Sequence, residues 1–128
     1  HDALPISSVT GLVPGLAVLA IDDSAQVEVA EALGYPVVRE AYADRAYQPN
    51  GLLVPRSEPG AVLHDSKAIA ERAVRLARSG ELVAIDGSVI RSRATSLCIH
   101  GDTEEVVAIA HAVRQALEGE GVAIRAPY

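Results

Sequence analysis

The hydrophobic and polar positions of this chain fall into short blocks that predict strands and helices in alternation. Brief apolar runs bounded by turn-forming residues are typical of strands buried in a sheet. Between these runs, apolar residues recur every three or four positions, as they do on one face of a helix. The runs predict strands at 16–21, 37–39, 82–85, 96–100 and 122–124, with a short extended piece at 89–90.

Three helices are predicted between the strands. Each begins at a residue whose side chain can accept a hydrogen bond from the first helical turn, and the first two stop at a glycine suited to the left-handed conformation. The predicted starts are Ser24, then Asp65 or Ser66, then Asp102 or Thr103, and the predicted stops are Gly34 and Gly80.

The alternation of strand and helix predicts an α/β fold made of parallel-stranded βα units. A full (β/α) barrel takes about 250 residues, whereas this chain has 128. The pattern therefore fits either a small α/β sandwich or part of a barrel. The connection 41–64 contains three prolines and two glycines, and its length favours an ordered functional loop.

Composition narrows the class of protein without naming a function. The net charge of -6 and the lack of a Lys/Arg cluster argue against nucleic acid as a partner. The longest apolar stretch, 11–21, contains Pro14 and is shorter than the ~20 residues that span a bilayer, so no membrane segment is predicted. A single cysteine, Cys98, fits a reducing compartment such as the cytoplasm.

The first residues are unusual. The chain contains no Met and opens with the sequence HDALPIS, which resembles a sequencing-adapter oligonucleotide read in frame. We therefore interpret residues 1–7 as a non-native segment and 8–128 as part of a single domain. A processed or tagged start is the alternative.

Polar side chains gather where two predicted strands end. Glu40, Asp44, Arg45 and Tyr47 follow the strand 37–39. Carboxylates can accept a proton and a guanidinium can bind a carboxylate through two hydrogen bonds, so this cluster suits a small polar substrate. The alternative is structural, with Asp44 and Arg45 paired to neighbours that hold the loop in place.

The second cluster ends the strand 96–100. His100 suits proton transfer or metal ligation near neutral pH, and the following glycine permits close approach of a ligand. Asp102 has two interpretations, a catalytic carboxylate or a helix N-cap worth ~1 kcal/mol. Cys98 lies in the apolar alternation of the strand and is interpreted as a core residue.

Three segments, 40–47, 53–61 and 98–103, resemble the C-terminal motifs of the LamB/YcsF family in order and separation. The resemblance implies the C-terminal part of a (β/α) barrel of the glycoside hydrolase/deacetylase type. The family's N-terminal motifs, rich in Asp, Asn and His, have no counterpart in this sequence. Thr95 and Glu104 are smaller departures from the family pattern.

The resemblance also implies a function, namely the cytoplasmic 5-oxoprolinase reaction. In that reaction the A, B and C subunits of 5-oxoprolinase together consume ATP to open 5-oxo-L-proline to L-glutamate, and this chain would belong to the A subunit and be inactive alone. We then expect Arg45, Tyr47 or Arg56 to bind substrate, Glu40 or Asp44 to handle protons, and His100 with Asp102 to orient water or a divalent metal. The alternatives are a non-catalytic protein that binds the lactam or scaffolds the complex, and a metal-dependent deacetylase-like hydrolase.

Overall fold

The structure, a computed structural model, describes residues 13–127, and the predicted non-native segment 1–7 lies outside them. Strands and helices follow one another largely as the sequence pattern predicts, with one hairpin inserted. In chain order they are β1 (Val18–Ile21), α1 (Ala25–Ala32), β2 (Val37–Tyr42), α2 (Ser66–Ser79), β3 (Glu81–Val83), β4 (Val89–Arg91), β5 (Ser96–Cys98) and α3 (Val106–Gly119).

The central sheet has the order β1-β2-β5, and both of its strand pairs are parallel. This confirms the predicted parallel α/β architecture. β2 continues to Tyr42, three residues past its predicted end at Arg39, because β5 pairs with its second half. Glu40 therefore lies inside a strand and not in the loop that follows it.

The three helices cover one face of this sheet. Arg39 of β2 donates to the Glu31 carboxylate of α1 at 2.7 Å. Two positions along the same strand, Ala41 packs in a buried cluster with Leu76 of α2. Leu97 of β5, the register partner of Ala41, packs against both α2 and α3. Alternate strand residues point to opposite faces, so these side chains define the helix-covered face.

The opposite face of the sheet carries Glu40, Tyr42 and Cys98. Leu19 of β1 shares this face through its register partner Val38 and is 58% exposed. Within 13–127, helices therefore lie on one side of the sheet only, and the polar strand ends are reached from the other.

The prediction that the strand at 82–85 belongs to the parallel sheet was wrong. β3 and β4 instead form a separate antiparallel hairpin. The turn signal at Asp86-Gly87 reverses the chain, since Gly87 has a φ of 89° and Asp86 accepts from the backbone N–H of Ser88. A strand that returns on its neighbour so quickly can pair only antiparallel.

The strand predicted at 122–124 is also wrong, because these residues join no β-ladder in the described part of the chain. Val122 instead packs against the buried cluster that contains Leu117 of α3. Such a short apolar run needs a neighbouring strand edge to become a strand, and here the helices supply the apolar contacts.

The ends of α1 and α2 are set by capping residues that lie next to them in the sequence. Ser24 accepts from the N–H of Val27, Asp65 accepts from the N–H of Lys67, and Gly80 takes the left-handed conformation with φ 66°. These observations confirm the predicted starts of α1 and α2 and the predicted stop of α2. The main core cluster joins α2 and α3 through Ile69 and other buried residues. None of the helices in 13–127 is long and apolar enough to cross a membrane.

Candidate functional site

The carboxyl ends of β2 and β5 meet at one edge of the sheet. Tyr42 and Cys98 are register partners at the last step of the pairing, and the N–H of Ala43 donates to the Cys98 carbonyl at 3.2 Å. Asp44 and His100 each lie two residues beyond the end of their strand. Parallel pairing therefore brings the two predicted clusters together at the edge where α/β folds build their sites.

Asp44 and His100 form the centre of this edge. His100 Nδ1 lies 2.9 Å from Asp44 Oδ1, and the backbone N–H of His100 donates to Asp44 Oδ2 at 2.8 Å. The Asp44 side chain is 3% exposed and that of His100 is 24% exposed. If Nδ1 of a neutral ring donates its hydrogen to the Asp44 carboxylate, the lone pair of the ring lies on Nε2.

Tyr42 packs its ring against the imidazole. The ring centroids of Tyr42 and His100 are 4.9 Å apart in an edge-on arrangement with an interplanar angle of 81°. Nε2 of His100 has no hydrogen-bond partner among residues 13–127. The imidazole is thus held on one edge by Asp44 and on its side by Tyr42, which leaves Nε2 to a ligand.

Arg56 and Asp102 extend the site along the same edge. Arg56 Nη1 donates to Asp102 Oδ2 at 2.7 Å, and both side chains are about half exposed. Desolvation opposes ionisation of Asp102, but its own backbone N–H, the Arg56 guanidinium and nearby His100 together lower its pKa below the ordinary value. The prediction that Asp102 or Thr103 starts α3 was wrong, because the Asp102 carboxylate is bound to Arg56 and the helix begins at Val106.

Two neighbours of Asp102 leave room and hydrogen-bonding capacity at the site. A Cβ added at Gly101 would meet no atom within 4 Å. The hydroxyl of Thr103 is buried without a hydrogen-bond partner among the described residues. A buried hydroxyl is ordinarily satisfied, so this one has hydrogen-bonding capacity that the described residues do not use.

Arg45 and Tyr47 lie inside the loop and not at its surface. Arg45 is 7% exposed, and its guanidinium donates to the carbonyls of Val54 and Ala61 at 2.8 and 3.3 Å. The Tyr47 hydroxyl accepts from the N–H of Tyr42 at 2.9 Å. These contacts match the structural alternative for Arg45, in which the side chain holds the loop in place.

The sequence patterns did not single out Arg72 or Tyr42. Arg72 reaches from α2 to the carbonyls of Ala43 and Arg45, on either side of Asp44, and to the carbonyl of Val83 in β3. Its position did carry a signal, because it falls three residues after Ile69 on the buried stripe of α2. A cation on an apolar stripe needs buried acceptors, and the long loop supplies them.

The chain also matches known proteins over nearly its whole length. A model of the LamB/YcsF family matches residues 3–128. The chain belongs to the LamB/YcsF family. It is 48% identical over 120 residues to a protein of Agrobacterium fabrum named as an A subunit of 5-oxoprolinase, a match covering 94% of this chain and 47% of that protein.

A second curated relative, the 5-oxoprolinase A subunit of Kocuria rhizophila, is 44% identical over 125 residues, or 98% of this chain and 50% of its own length. A solved structure, that of a lactam utilization protein from Thermus thermophilus, superimposes with a TM-score of 0.90 at 38% identity. That match covers 98% of this chain and 49% of the Thermus chain. The chain thus spans about half the length of the relatives it matches.

In this LamB/YcsF chain, Glu40 and Cys98 lie on the helix-free face of the sheet. Glu40 is 9% exposed. Burial and, to a smaller extent, the nearby carboxylates of Glu40 and Asp44 together raise the pKa of Cys98 to about 11. Burial and Glu40 likewise raise the pKa of Tyr42. The thiol is therefore neutral near pH 7, which agrees with the interpretation of Cys98 as a core residue and not a nucleophile.

Alkylation of Cys98 in the complete folded protein should be slow at pH 8. With a pKa of about 11, roughly one thiol in a thousand is ionised there, and the rate should rise about tenfold per pH unit toward pH 11. Iodoacetamide labelling followed by mass spectrometry measures this rate. The same protein in denaturant is the control, and equal rates at pH 8 in the folded and denatured states would contradict the assigned environment.

Metal-ligand side chains do not converge in the described structure. Among residues 13–127, no group of three or more His, Cys, Asp or Glu side chains is arranged to hold a metal ion. Asp44 is bound to His100, and Asp102 is bound to Arg56.

A cavity of about 440 Å³ lies at the other end of β5, beside Thr95 and Ser96, and is lined largely by apolar side chains.

Proposed function

We propose that this chain carries part of the active site of the 5-oxoprolinase A subunit, which acts in opening 5-oxo-L-proline to L-glutamate. One observation carries the proposal, namely the Asp44–His100 pair at the carboxyl ends of two adjacent parallel strands. Membership of the LamB/YcsF family, and relatives named for this subunit, support the choice of reaction.

Opening the lactam needs a base and then an acid. The oxygen of water forms a bond to the ring carbonyl carbon while the water's proton moves to a base. The C–N bond then breaks and the ring nitrogen takes up a proton, which gives a carboxylate and an amine. His100 Nε2 can perform both transfers because its lone pair is free and an imidazole exchanges protons near neutral pH.

Asp44 acts on the reaction through His100. Its carboxylate holds Nδ1–H, fixes the orientation of the ring and stabilises the imidazolium that forms when Nε2 takes a proton. Because Asp44 is almost fully buried, its charge is poorly screened by water at the moment of transfer. Its role in proton handling is therefore to position and stabilise the base.

Arg56 is the residue best suited to the carboxylate of 5-oxoproline. Its guanidinium lies at the open edge of the sheet beside Asp102, and Asp102 stands two residues from His100. A guanidinium binds carboxylates through paired N–H groups. The incoming carboxylate would share or replace the contact with Asp102, and the two half-exposed side chains leave room for that exchange.

The remaining candidate residues take lesser roles in this proposal. Arg45 and Tyr47 hold the loop through buried hydrogen bonds and do not bind substrate. Glu40, on the helix-free face near Cys98, is the second candidate for proton handling.

The wider setting belongs to the same proposal. The chain would supply later strands of a (β/α) barrel in a cytoplasmic complex with the B and C subunits of 5-oxoprolinase, and that complex would consume ATP. The glycines of this chain show no phosphate-cradling spacing, so ATP is assigned to residues outside it. Asp44 and Asp102, each bound to another side chain, do not form a metal site with other described residues, and no step is assigned to a divalent metal.

Replacing Arg56 with Ala in the complete enzyme should raise the KM for 5-oxoproline by about 10- to 100-fold, the usual value of a charged hydrogen bond. The kcat should change far less, because Arg56 contacts the substrate carboxylate in the ground state and the transition state alike. Steady-state turnover of 5-oxoproline, followed as glutamate release, measures both constants.

Arg75→Ala is the matched control for this test. Arg75 is an exposed arginine of α2 paired with Glu81, away from the sheet edge, and its loss should leave KM unchanged. An unchanged KM in Arg56→Ala would remove Arg56 from the substrate site. Binding of 5-oxoproline by the wild-type complex without turnover would favour a lactam-binding protein instead of an enzyme.

A further inference from the structure

Arg72 joins the middle of α2 to the loop that carries Asp44. Its Nε donates to the Ala43 carbonyl at 3.2 Å, and its Nη2 donates to the Arg45 carbonyl at 2.8 Å. Its Nη1 donates to the carbonyl of Val83 in β3 at 3.3 Å. One side chain thus binds the carbonyls of the residues immediately before and after Asp44 and ties both to the hairpin.

The backbone of Asp44 itself is held from another direction. Its carbonyl accepts from the N–H of Leu63 at 2.9 Å, and the N–H of Ala43 donates to Cys98. With Arg72 on the flanking carbonyls, the peptides around Asp44 are fixed on several sides. The direction of the Asp44 side chain, and hence its contact with His100, depends on this backbone.

Only a guanidinium fits this set of acceptors. Arginine presents its N–H donors as a rigid planar fork, so it can serve three separate carbonyls at once, whereas the lysine ammonium is a compact charge. Burial lowers the pKa of Arg72, and the charges of Tyr47 and Asp44 act in the opposite direction. A cation is stabilised here by the carbonyls and by the Asp44 carboxylate that it helps to place.

We propose that Arg72 is a positioning residue of the Asp44–His100 pair, setting the orientation of Asp44 by holding the carbonyls on either side of it. The inference rests on the proposed function of that pair in lactam opening. Within residues 13–127, Arg72 makes no hydrogen bond to Arg56 or Asp102, so it acts on the chemistry through Asp44 and not through binding of substrate.

The test is kinetic and uses the complete enzyme with Arg72→Lys and Arg72→Gln, which each keep a donor where Ala would keep none. Displacing a catalytic pair by about 1 Å can cost up to 100-fold in rate, so we expect kcat to fall at least tenfold while KM for 5-oxoproline stays within about twofold. In an Asp44→Asn background, Arg72→Lys should cause no further loss, because the group it positions is already disabled.

Arg75→Lys, on the same helix but at the surface, is the matched control and should retain wild-type kcat. A fall in kcat of equal size in the Asp44→Asn background, or a change confined to KM, would overturn the positioning role. If the wild-type enzyme does not turn over 5-oxoproline, the proposed reaction is wrong, but the positioning role of Arg72 is still open to test. In that case the positioning role is tested by the distance between Asp44 and His100 in a crystal structure of Arg72→Lys. A distance that stays at 2.9 Å would overturn the positioning role.

Discussion

Replacing His100 with Asn in the complete enzyme should lower kcat for 5-oxoproline by about 10²- to 10⁴-fold, the usual contribution of a positioned acid–base group. The amide nitrogen of Asn can still donate to Asp44 in place of Nδ1, so the loop contact can persist. What is lost is Nε2, the one nitrogen free to accept and return a proton. Steady-state kinetics at saturating substrate measure the effect.

His111→Asn supplies the control for this substitution. His111 is exposed in α3, and the same chemical change there should leave kcat and KM unaltered. A His100→Asn enzyme with more than about a tenth of wild-type kcat would be outside the range expected for loss of a general base. That result would transfer the proton-handling role to another group, with Glu40 next in order.

Replacing Asp44 with Asn should produce the second largest loss, about 10²- to 10³-fold in kcat. The amide removes the charge that stabilises the imidazolium and turns one of two buried acceptors into a donor facing His100 N–H. KM should change little, since Asp44 is buried and substrate is held by Arg56. Kinetics and thermal unfolding should be measured on the same preparation.

Asp86→Asn is the corresponding control, because Asp86 is an exposed residue of the β3–β4 turn whose carboxylate bonds Ser88, two residues along the chain. Its kcat should remain at the wild-type value. If Asp44→Asn lowers the unfolding temperature but leaves kcat unchanged in the folded fraction, Asp44 holds the loop without serving the reaction.

The local parts of this fold could be predicted from sequence because their causes lie within a few residues. Ser24 and Asp65 cap the turns that follow them, and Gly80 adopts the left-handed conformation that ends α2. The parallel sheet followed from the alternation of strand and helix. The same reasoning failed for 82–85 and 122–124, since the partner of a short apolar run is set by residues far along the chain.

The site shows the same division between local and distant causes. Both polar clusters were recognised at strand ends, and parallel pairing brings Asp44 and His100 together across 56 positions of sequence. The sequence did not reveal that His100 pairs with Asp44 and not with Asp102. Asp102 resembles a helix cap locally, but Arg56, 46 positions away, binds its carboxylate.

Arg45 and Arg72 illustrate a further limit. Arg45 belongs to a polar loop and Arg72 to a helix, and both turn inward to backbone carbonyls. A long irregular loop leaves carbonyls without sheet or helix partners, and a nearby guanidinium satisfies several at once. The length of the loop indicates that its carbonyls require hydrogen-bond donors from elsewhere. Whether Arg72 can supply them depends on how α2 packs.

The central claim is that Asp44 and His100 act as one unit in lactam opening, and the double variant Asp44→Asn/His100→Asn tests it most directly. When two groups act as a unit, removing one already abolishes their joint contribution to kcat, so removing the second causes little further loss. We predict that kcat of the double variant equals that of His100→Asn alone within about threefold. A kcat reduced by the product of the two single losses would show that the residues act independently and would contradict the account.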